Sequence, residues 1–454
     1  MNNILEKQQT FFATGKTLDI TFRISYLKKL KETIIKREKD ILSALNKDLG
    51  KSETEAYMCE IGLTLSEISY FIKNTKKLSK EKIVATPLTN FPAKSTINFQ
   101  PRGNTLILSP WNYPFLLSIE PLVDAIAAGN TVILKPSAYS PNTSNIVNEI
   151  IEEVFDEEYV KVVTGGREEN KNLLSMDFDF IFFTGSQNVG KEVLRQAAEH
   201  LTPSVLELGG KSPCIIDKTA DIKLSAKRIV FGKFLNCGQT CVAPDYIYCH
   251  KEIKNALITE IKKQITKQFG ENPLDSKDYG KIINEKHFNR LSQLINYEKV
   301  IIGGKTSKEK LKIEPTVMDN VDWDDNVMKE EIFGPVLPIL EFEDIDSVID
   351  IINKNPHPLA LYIFSKNKKY IKKITDLCRF GGGCINDVIV HLATSQMPFG
   401  GFKQSGMGKY HGKFGFETFS HQRSILDRKL WIDPHIRYQP YNNFCTKLIK
   451  LFLK

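Results

Sequence analysis

The sequence lacks the marks of several large classes of protein. Its 454 residues contain no apolar run of membrane-spanning length, and the polar segment Met1–Thr10 is unlike a secretory signal peptide. The eight cysteines do not follow the close spacing of a disulfide framework. The net charge of +8 comes from lysines scattered among acidic residues, and no single basic block accounts for it. We therefore expect a protein of the reducing cytoplasm that binds no nucleic acid.

Two common ligand motifs are missing as well. No GxGxxG sequence follows an early strand, so the usual dinucleotide fingerprint is absent. Cys237 and Cys241 are spaced as CxxxC, but no second pair of cysteines or histidines stands at zinc-ligand spacing. We therefore expect no metal site. The chain also has no low-complexity linker and no short internal repeat.

What the chain does have is an alternation of helical and strand patterns. Residues 8–50 and 54–78 carry apolar side chains at helical spacing. Beyond a loop with two prolines, short apolar runs alternate with helical stretches, and the alternation starts afresh after Gly209. This pattern is typical of parallel α/β sheets, and the length suits two or three domains. The predicted strands are Ser95–Gln100, Thr105–Ser109, Thr131–Leu134, Val160–Val163, Phe180–Phe183, Cys214–Ile216, Tyr246–Cys249, Val336–Ile339, Leu361–Ile363 and Gly383–Asn386.

Three side chains are of the types needed for covalent chemistry at a carbonyl group. Cys241 is a thiol on a polar loop, and Glu207, in ELGGKSP, is a carboxylate that could serve as its base. Asn112, in PWNYP, has an amide that could stabilise an oxyanion. Singly, each is better explained as an inert buried thiol, a surface carboxylate or a turn residue. Together, and in this order, they favour catalysis.

Eight motifs resemble, in order, those of the NAD(P)-dependent aldehyde dehydrogenases, and most closely the class 3 and fatty aldehyde dehydrogenase branch. The similarity extends over residues 8–430, which is nearly the whole chain. It implies an α/β fold with a Rossmann-like cofactor domain, an α/β catalytic domain and a small β oligomerisation element. The motifs are PWNYPF (110–115), AAGNTVILKPS (127–137), FTGSQNVGK (183–191), LELGGKSP (206–213), NCGQTCVAPDY (236–246), EEIFGP (330–335), PLALYIFS (358–365) and PFGGFKQSGMGKYHG (398–412).

The resemblance also implies domain boundaries and a partner. We expect a homodimer, because Ser95–Gln100 and Phe419–Leu426 match the segments through which class 3 relatives exchange an edge hairpin. The apolar, lysine-containing end of the chain either packs on that partner or makes a weak peripheral membrane contact as a basic amphipathic helix. The expected divisions are an NAD(P)-binding domain (1–80 and 101–208), a catalytic domain (209–392), oligomerisation and bridging segments (81–100 and 393–430) and a C-terminal tail (431–454).

The cofactor site implied by the resemblance uses a variant glycine loop. This loop follows an apolar strand and leads into a helix, so its backbone N–H groups suit a phosphate. Lys135 matches the lysine that binds the adenosine ribose, and Glu331 the glutamate that binds the nicotinamide ribose. Phe333 and Phe399 match aromatics near the nicotinamide ring, with core packing as the alternative. The other predicted cofactor-binding residues are Pro110, Trp111, Gly185, Ser186, Gln187, Asn188, Val189 and Gly190.

We expect NAD as cofactor, with NADP accepted alongside it. Many relatives carry a glutamate after the Lys-Pro-Ser of the cofactor strand, and this chain has Ala138 there. A carboxylate at that place binds the 2′-hydroxyl of the ribose and repels a 2′-phosphate, whereas alanine does neither.

The reaction implied by the resemblance is oxidation of an aldehyde to a carboxylic acid. The Cys241 thiolate attacks the aldehyde, and Asn112 and the Cys241 backbone N–H hold the alkoxide. Hydride passes to the nicotinamide, and Glu207 activates the water that hydrolyses the thioester. The alternatives are a CoA-acylating or phosphorylating relative, against which Glu207 argues, and a non-catalytic scaffold, against which all three residues argue.

The expected substrates are medium- to long-chain aliphatic or aromatic aldehydes. In the family a substrate funnel is lined by residues near 55–65 and 388–394, which here are largely apolar. The same apolar side chains are equally suited to the core. They are Tyr57, Met58, Ile61, Ile389, Val390 and Leu392.

We predict that Cys241 is acylated during turnover and Cys237 is not. Cys241→Ala should abolish oxidation of an aliphatic aldehyde, measured as NADH absorbance, because the acyl acceptor is lost. Cys237→Ala is the matched control and should retain most of the activity. Comparable losses in both variants would contradict the assignment.

Overall fold

The computed structural model describes residues 2–453. The helical patterns of residues 8–50 and 54–78 are confirmed, with a π-helical segment at Tyr57–Ile61 inside the second. Among the described residues, no helix is both long enough and apolar enough to cross a bilayer. The helices are α1 (Asn2–Ala13), α2 (Ile20–Lys36), α3 (Glu38–Leu49), α4 (Glu53–Ala56), α5 (Gly62–Leu78), α6 (Leu116–Ala128), α7 (Pro141–Val154), α8 (Arg167–Leu174), α9 (Gln187–Glu199), α10 (Ile222–Phe234), α11 (Lys254–Phe269), α12 (Glu285–Gln293), α13 (Asn326–Lys329), α14 (Ile345–Lys354), α15 (Lys368–Leu377), α16 (Gly412–Thr418) and α17 (Asn443–Phe452).

All ten predicted strands are confirmed, with ends that shift by at most three residues. Further strands were not predicted, among them β7, which is only four residues long and begins and ends with a polar residue. The strands are β1 (Lys82–Val84), β2 (Ala93–Pro101), β3 (Asn104–Leu108), β4 (Thr131–Lys135), β5 (Val160–Val162), β6 (Phe180–Thr184), β7 (Ser204–Glu207), β8 (Pro213–Ile216), β9 (Tyr246–His250), β10 (Val300–Ile302), β11 (Thr306–Ser307), β12 (Lys312–Ile313), β13 (Thr316–Met318), β14 (Val336–Phe342), β15 (Ala360–Phe364), β16 (Gly382–Ile385), β17 (Gly406–Met407) and β18 (Ser420–Arg428).

The first sheet has the strand order β17-β7-β6-β3-β4-β5 and is parallel except for β17. Ile107 and Leu134 pack in one hydrophobic cluster, while Leu106 and Ile133 pack in another, so both faces of the sheet are buried. The chain runs outward from β3 through β4 to β5 and then returns to place β6 on the other side of β3. A crevice opens where the strand order reverses, beyond the carboxyl ends of β3 and β6, and such crevices bind ligands.

The second sheet has the strand order β10-β13-β14-β9-β8-β15-β16, parallel except for β10. A third, antiparallel sheet of β1, β2 and β18 stands apart from both. Its two long strands pair from Pro101 opposite Ser420 to Ala93 opposite Arg428. Most of β18 is exposed. The fold is thus the predicted combination of two α/β sheets with a small β element.

A buried ion pair joins the N-terminal helices to the turn after β3. Lys51 and Glu60 are both fully buried and pair with each other. Glu60 also accepts hydrogen bonds from the backbone N–H groups of Phe115 (2.9 Å) and Leu116 (3.2 Å), at the start of α6. Lys51 donates to the backbone oxygen of Asn112 at 3.2 Å. The pair therefore fixes the position of the turn that contains Asn112.

We predict that Lys51→Met destabilises the fold strongly. Removing one partner of a buried pair leaves an uncompensated charge, which typically costs about 3–5 kcal/mol. Unfolding in guanidinium chloride measures this loss. The matched control is Lys36→Met, which breaks the exposed pair with Glu153 and should change stability by less than ~1 kcal/mol. Equal effects of the two changes would refute the importance of the buried pair.

Candidate active site

Two cavities meet at the carboxyl-terminal end of the first sheet. One, the apolar cavity, has a volume of about 180 Å³, and the other, the cleft, has a volume of about 460 Å³. Five residues line both of them: Leu117, Thr184, Glu207, Leu208 and Cys241. A thiol and a carboxylate therefore stand where the two spaces join.

The loop that carries Cys241 has a strained backbone. After α10, Asn236 and Cys237 have φ angles of +51° and +53°, in the left-handed region that residues with a side chain seldom adopt. Gly238 follows at +73°, and a Cβ atom there would lie 2.3 Å from the backbone oxygen of Gly334. Such strain persists only where surrounding contacts impose the conformation.

Hydrogen bonds hold the loop that carries Cys241 in this backbone conformation. The Asn236 side-chain amide donates to the backbone oxygens of Asn112 (2.7 Å) and Gln239 (3.2 Å). The Gln239 side chain donates to the backbone oxygens of Asn236 and Lys281, each at 3.0 Å. The Asn236 backbone N–H donates to the Glu55 carboxylate at 2.9 Å. The loop is thereby fixed to residues distant in the sequence.

The two cysteines of this loop differ in access. Cys241 is partly exposed and faces both cavities, whereas Cys237 is buried and lines neither. Burial raises the pKa of Cys241 to about 12, with Glu331 and Glu207 adding to the rise, while the backbone N–H groups of Cys241 and Val242 oppose it. Burial also raises the pKa of Cys237. The resting thiol is therefore protonated, and attack on a carbonyl needs a base.

Glu207 is a carboxyl group that lines the same two cavities as Cys241. It ends β7, and within the described part of the chain neither of its carboxyl oxygens has a hydrogen-bond partner. Burial raises its pKa well above the usual range. A carboxylate with a raised pKa takes up a proton more readily, and a raised pKa at a cavity wall is typical of functional carboxyl groups.

Asn112 lies at the wall of the cleft, beside the loop that carries Cys241. Its side-chain amide donates to the backbone oxygen of Gln239 at 3.0 Å, which turns the amide towards the loop that carries Cys241. The neighbouring Tyr113 hydroxyl pairs with the Thr240 hydroxyl at 2.6 Å. The three residues singled out from the sequence thus converge around the junction of the two cavities.

The cleft has the features of a dinucleotide site. It lies at the crevice between β3 and β6, and the helix α9 begins there at Ser186 without a side-chain cap, so its first N–H groups are available to a phosphate. A Cβ atom at Gly209 would lie 2.1 Å from a carboxylate oxygen of Glu331, so glycine is needed beside that carboxylate. Burial raises the pKa of Glu331 to about 8. These residues fit NAD(P).

Most of the predicted cofactor residues line the cleft, but four do not. Lys135 donates to the backbone oxygens of Pro136 (2.8 Å) and Gly165 (2.7 Å). Val189 is exposed on α9, and Gly190 packs against the Leu208 side chain. Phe399 lines the apolar cavity. The predicted residues that do line the cleft are Pro110, Trp111, Gly185, Ser186, Gln187, Asn188, Glu331 and Phe333.

The apolar cavity receives most of the side chains expected for a substrate funnel. Met58, Ile389, Val390 and Leu392 line it. Tyr57 and Ile61 do not, and Ile61 is fully buried in the core. The prediction that these side chains line the substrate funnel is therefore wrong for Tyr57 and Ile61. Ile61 has the alternative role, which is core packing.

Sequence reasoning missed the polar residues of this cavity. Glu67, Glu120, Tyr410 and His411 all line it. The last two lie in the PFGGFKQSGMGKYHG motif, which could have drawn attention to them. Glu67 and Glu120 lie on helices in which a charged residue normally marks the solvent face, so only the packing reveals them.

The fold and the junction of cavities define a class of protein: enzymes that use NAD(P) to oxidise aldehydes to carboxylic acids. The chain belongs to the aldehyde dehydrogenase family, whose family model, described as "Aldehyde dehydrogenase family", matches residues 1–425.

Individual relatives agree with this assignment. The chain is 47% identical to the 4,4'-diaponeurosporen-aldehyde dehydrogenase of Staphylococcus aureus, over 100% of both chains. It is 44% identical to an enzyme of Canis lupus familiaris named "Aldehyde dehydrogenase, dimeric NADP-preferring", over 97% of this chain and 98% of the relative. The solved structure described as the substrate bound state of Staphylococcus aureus AldH matches with a TM-score of 0.98 at 46% identity, covering 100% of this chain and 99% of that one.

Proposed function

We propose that Cys241 is the nucleophile, Glu207 the base and Asn112 an oxyanion donor of this aldehyde dehydrogenase. The observation that carries the proposal is the junction of the apolar cavity with the cleft at Cys241 and Glu207. An aldehyde in one cavity and a cofactor in the other would both reach the thiol.

The residues then have the following roles. Glu207 takes the proton of the Cys241 thiol, and the thiolate sulfur bonds to the aldehyde carbon. The oxygen gains the negative charge, which the Asn112 side-chain amide and the Cys241 backbone N–H stabilise. Bound NAD(P) supplies the hydride acceptor for the oxidation. Glu207 passes this proton to solvent and, again a carboxylate, later takes a proton from water, whose hydroxyl attacks the acyl carbon and displaces the Cys241 sulfur as a thiolate.

The same carboxyl group distinguishes hydrolysis from acyl transfer to CoA or phosphate. Among the described residues, the buried Glu207 carboxyl group has no hydrogen-bond partner, which lowers the stability of the fold. A catalytic role would explain why such a group is present. Activation of water supplies one. We therefore propose a carboxylic acid as the product and no acyl transfer.

The apolar lining supports medium- to long-chain aliphatic or aromatic aldehydes as substrates. Methionine, leucine, isoleucine and phenylalanine side chains make up much of the wall. Transfer of a hydrocarbon chain from water to such a lining gains about 0.8 kcal/mol per CH₂ group.

We further propose that both NAD and NADP are accepted. Ala138 is exposed just beyond the carboxyl end of β4, on the cofactor sheet, and puts no carboxylate there. A phosphate on the adenosine ribose would therefore meet no repulsion from this position.

The predicted domain boundaries, the homodimer and the cytoplasmic location remain proposals too. All eight cysteines are free thiols, which suits a reducing compartment. An exposed β18 and exposed apolar side chains at Leu88, Trp431 and Phe444 support burial against a second copy. Weak membrane contact through α17 is the alternative for the tail. Within the proposed bridging segment, β17 extends the first sheet.

We predict that Glu207→Gln separates the two halves of the reaction. An amide cannot accept a proton from water, so a pre-steady-state burst of NADH should be followed by turnover slowed about 10²–10⁴-fold. Stopped-flow absorbance with an aliphatic aldehyde measures both phases. The matched control, Glu199→Gln at the exposed end of α9, should behave as wild type. Normal steady-state turnover, or acceleration of wild type by CoA or phosphate, would contradict the proposal.

We predict that wild type uses NAD and NADP with kcat/KM values within about a hundredfold, which is roughly 2.7 kcal/mol. Ala138→Glu should reduce kcat/KM for NADP selectively, because the new carboxylate repels the 2′-phosphate. Ala138→Gln is the matched control of similar size without charge. Strong rejection of NADP by wild type, or equal effects of the two variants, would refute the role of Ala138.

A further inference from the structure

Part of the wall of the apolar cavity is polar. Glu67, Glu120, Ser395 and His411 line it, together with a larger number of hydrocarbon side chains. Glu120 and His411 are nearly fully buried. A purely hydrocarbon substrate would leave these groups facing methylene groups, which gain nothing from them. We therefore expect a substrate that carries a second polar group in addition to its aldehyde.

Glu67 is not available to such a substrate. One carboxylate oxygen accepts from the Gly412 backbone N–H and the other from the Ser395 hydroxyl. Asp124, beside it, does not line the cavity, and burial raises the pKa of Asp124 well above the usual range. Glu67 therefore holds the wall in place, because both of its oxygens are already bonded to the protein.

Glu120 does face the cavity with free acceptor capacity. It is 6% exposed, and its one partner among the described residues is His411, whose Nε2 lies 3.5 Å from Oε2. A carboxylate accepts about four hydrogen bonds, so most of its capacity is open towards the cavity.

The apolar wall favours a neutral donor over a cation. Most of the side chains that line the cavity are hydrocarbon, so a cation would lose its hydration on entering it. Burial opposes a charge on His411, but Glu120 and Glu67 outweigh it and raise the His411 pKa. The His411 ring is also held in place, stacked on Phe399 with ring centroids 5.2 Å apart. A hydroxyl group, which brings no charge into an otherwise apolar space, suits this site best.

Tyr410 connects this site with the reacting centre. It is fully buried and lines the apolar cavity. Its ring lies 4.3 Å from that of His411. Glu120 lines the same cavity as Glu207 and Cys241.

We propose that Glu120 makes the apolar cavity selective for aldehydes that carry a hydroxyl group along their carbon chain, by accepting a hydrogen bond from that hydroxyl. The proposal rests on the function proposed above, because the aldehyde must enter this cavity. It narrows the substrate class from hydrocarbon aldehydes to hydroxylated ones of one best chain length.

The test compares ω-hydroxyalkanals with alkanals that have the same number of heavy atoms. The readout is the ratio of kcat/KM for the two members of each pair, measured with the same enzyme and NAD. Wild type should prefer the hydroxylated member by about tenfold or more at one chain length, because a hydrogen bond to a carboxylate discriminates by that much. A ratio near one at every length would overturn the proposal.

Two variants assign the preference to Glu120. Glu120→Leu should reverse the ratio, and Glu120→Gln, which keeps a carbonyl acceptor and the shape, should retain part of it. Met58→Leu, on the apolar wall, is the matched control and should alter both substrates alike. A preference that survives in Glu120→Leu would overturn the assignment, and if that variant fails to fold, an undiminished ratio in Glu120→Gln would do so.

Failure of this proposal is distinguishable from failure of the proposed function. If wild type oxidises alkanals through Cys241 but shows no preference for a hydroxyl, the subsite is refuted and the function stands. If neither member of any pair is oxidised, the proposed function itself is refuted.

Discussion

The backbone oxygen of Asn112 is the point on which the rest of the site depends. It accepts hydrogen bonds from the buried Lys51 ammonium and from the Asn236 side chain. The first bond comes from the segment between α3 and α4 and the second from the loop that carries Cys241, so one carbonyl group joins parts of the chain that are distant in the sequence. The Asn112 amide returns a bond to Gln239. Because the strained loop cannot hold its left-handed residues alone, these contacts determine where Cys241 lies.

The same burial that fixes the geometry changes how tightly the groups at the reacting centre hold a proton. Burial raises the pKa values of Cys241, Glu207 and Glu331, all of which are acidic groups. A Glu207 carboxylate is therefore a stronger base than an exposed one, which suits removal of a proton from a thiol or from water. In the proposed reaction, little water would screen the oxyanion, which would strengthen its interaction with fixed dipoles such as the Cys241 backbone N–H.

The elements of the fold could be predicted where the local pattern was long and apolar, as in β4 and β6. Prediction failed for β7, whose four residues carry no periodicity, although β7 ends at Glu207, which the motif had already singled out. For the site, motifs located Cys241, Glu207 and Asn112 but not what each faces. Phe399 and Ile61 show why: both are apolar side chains, and only the packing around them separates a cavity wall from the core. The charged wall at Glu120 depends on contacts between distant helices and loops, which no spacing rule encodes.

The apolar cavity and the cleft have only five lining residues in common, so most of the residues that line one of them do not line the other. Substitutions on one wall can therefore change its shape or polarity without altering the other wall. Substrate preference and cofactor preference can then diverge independently among related sequences.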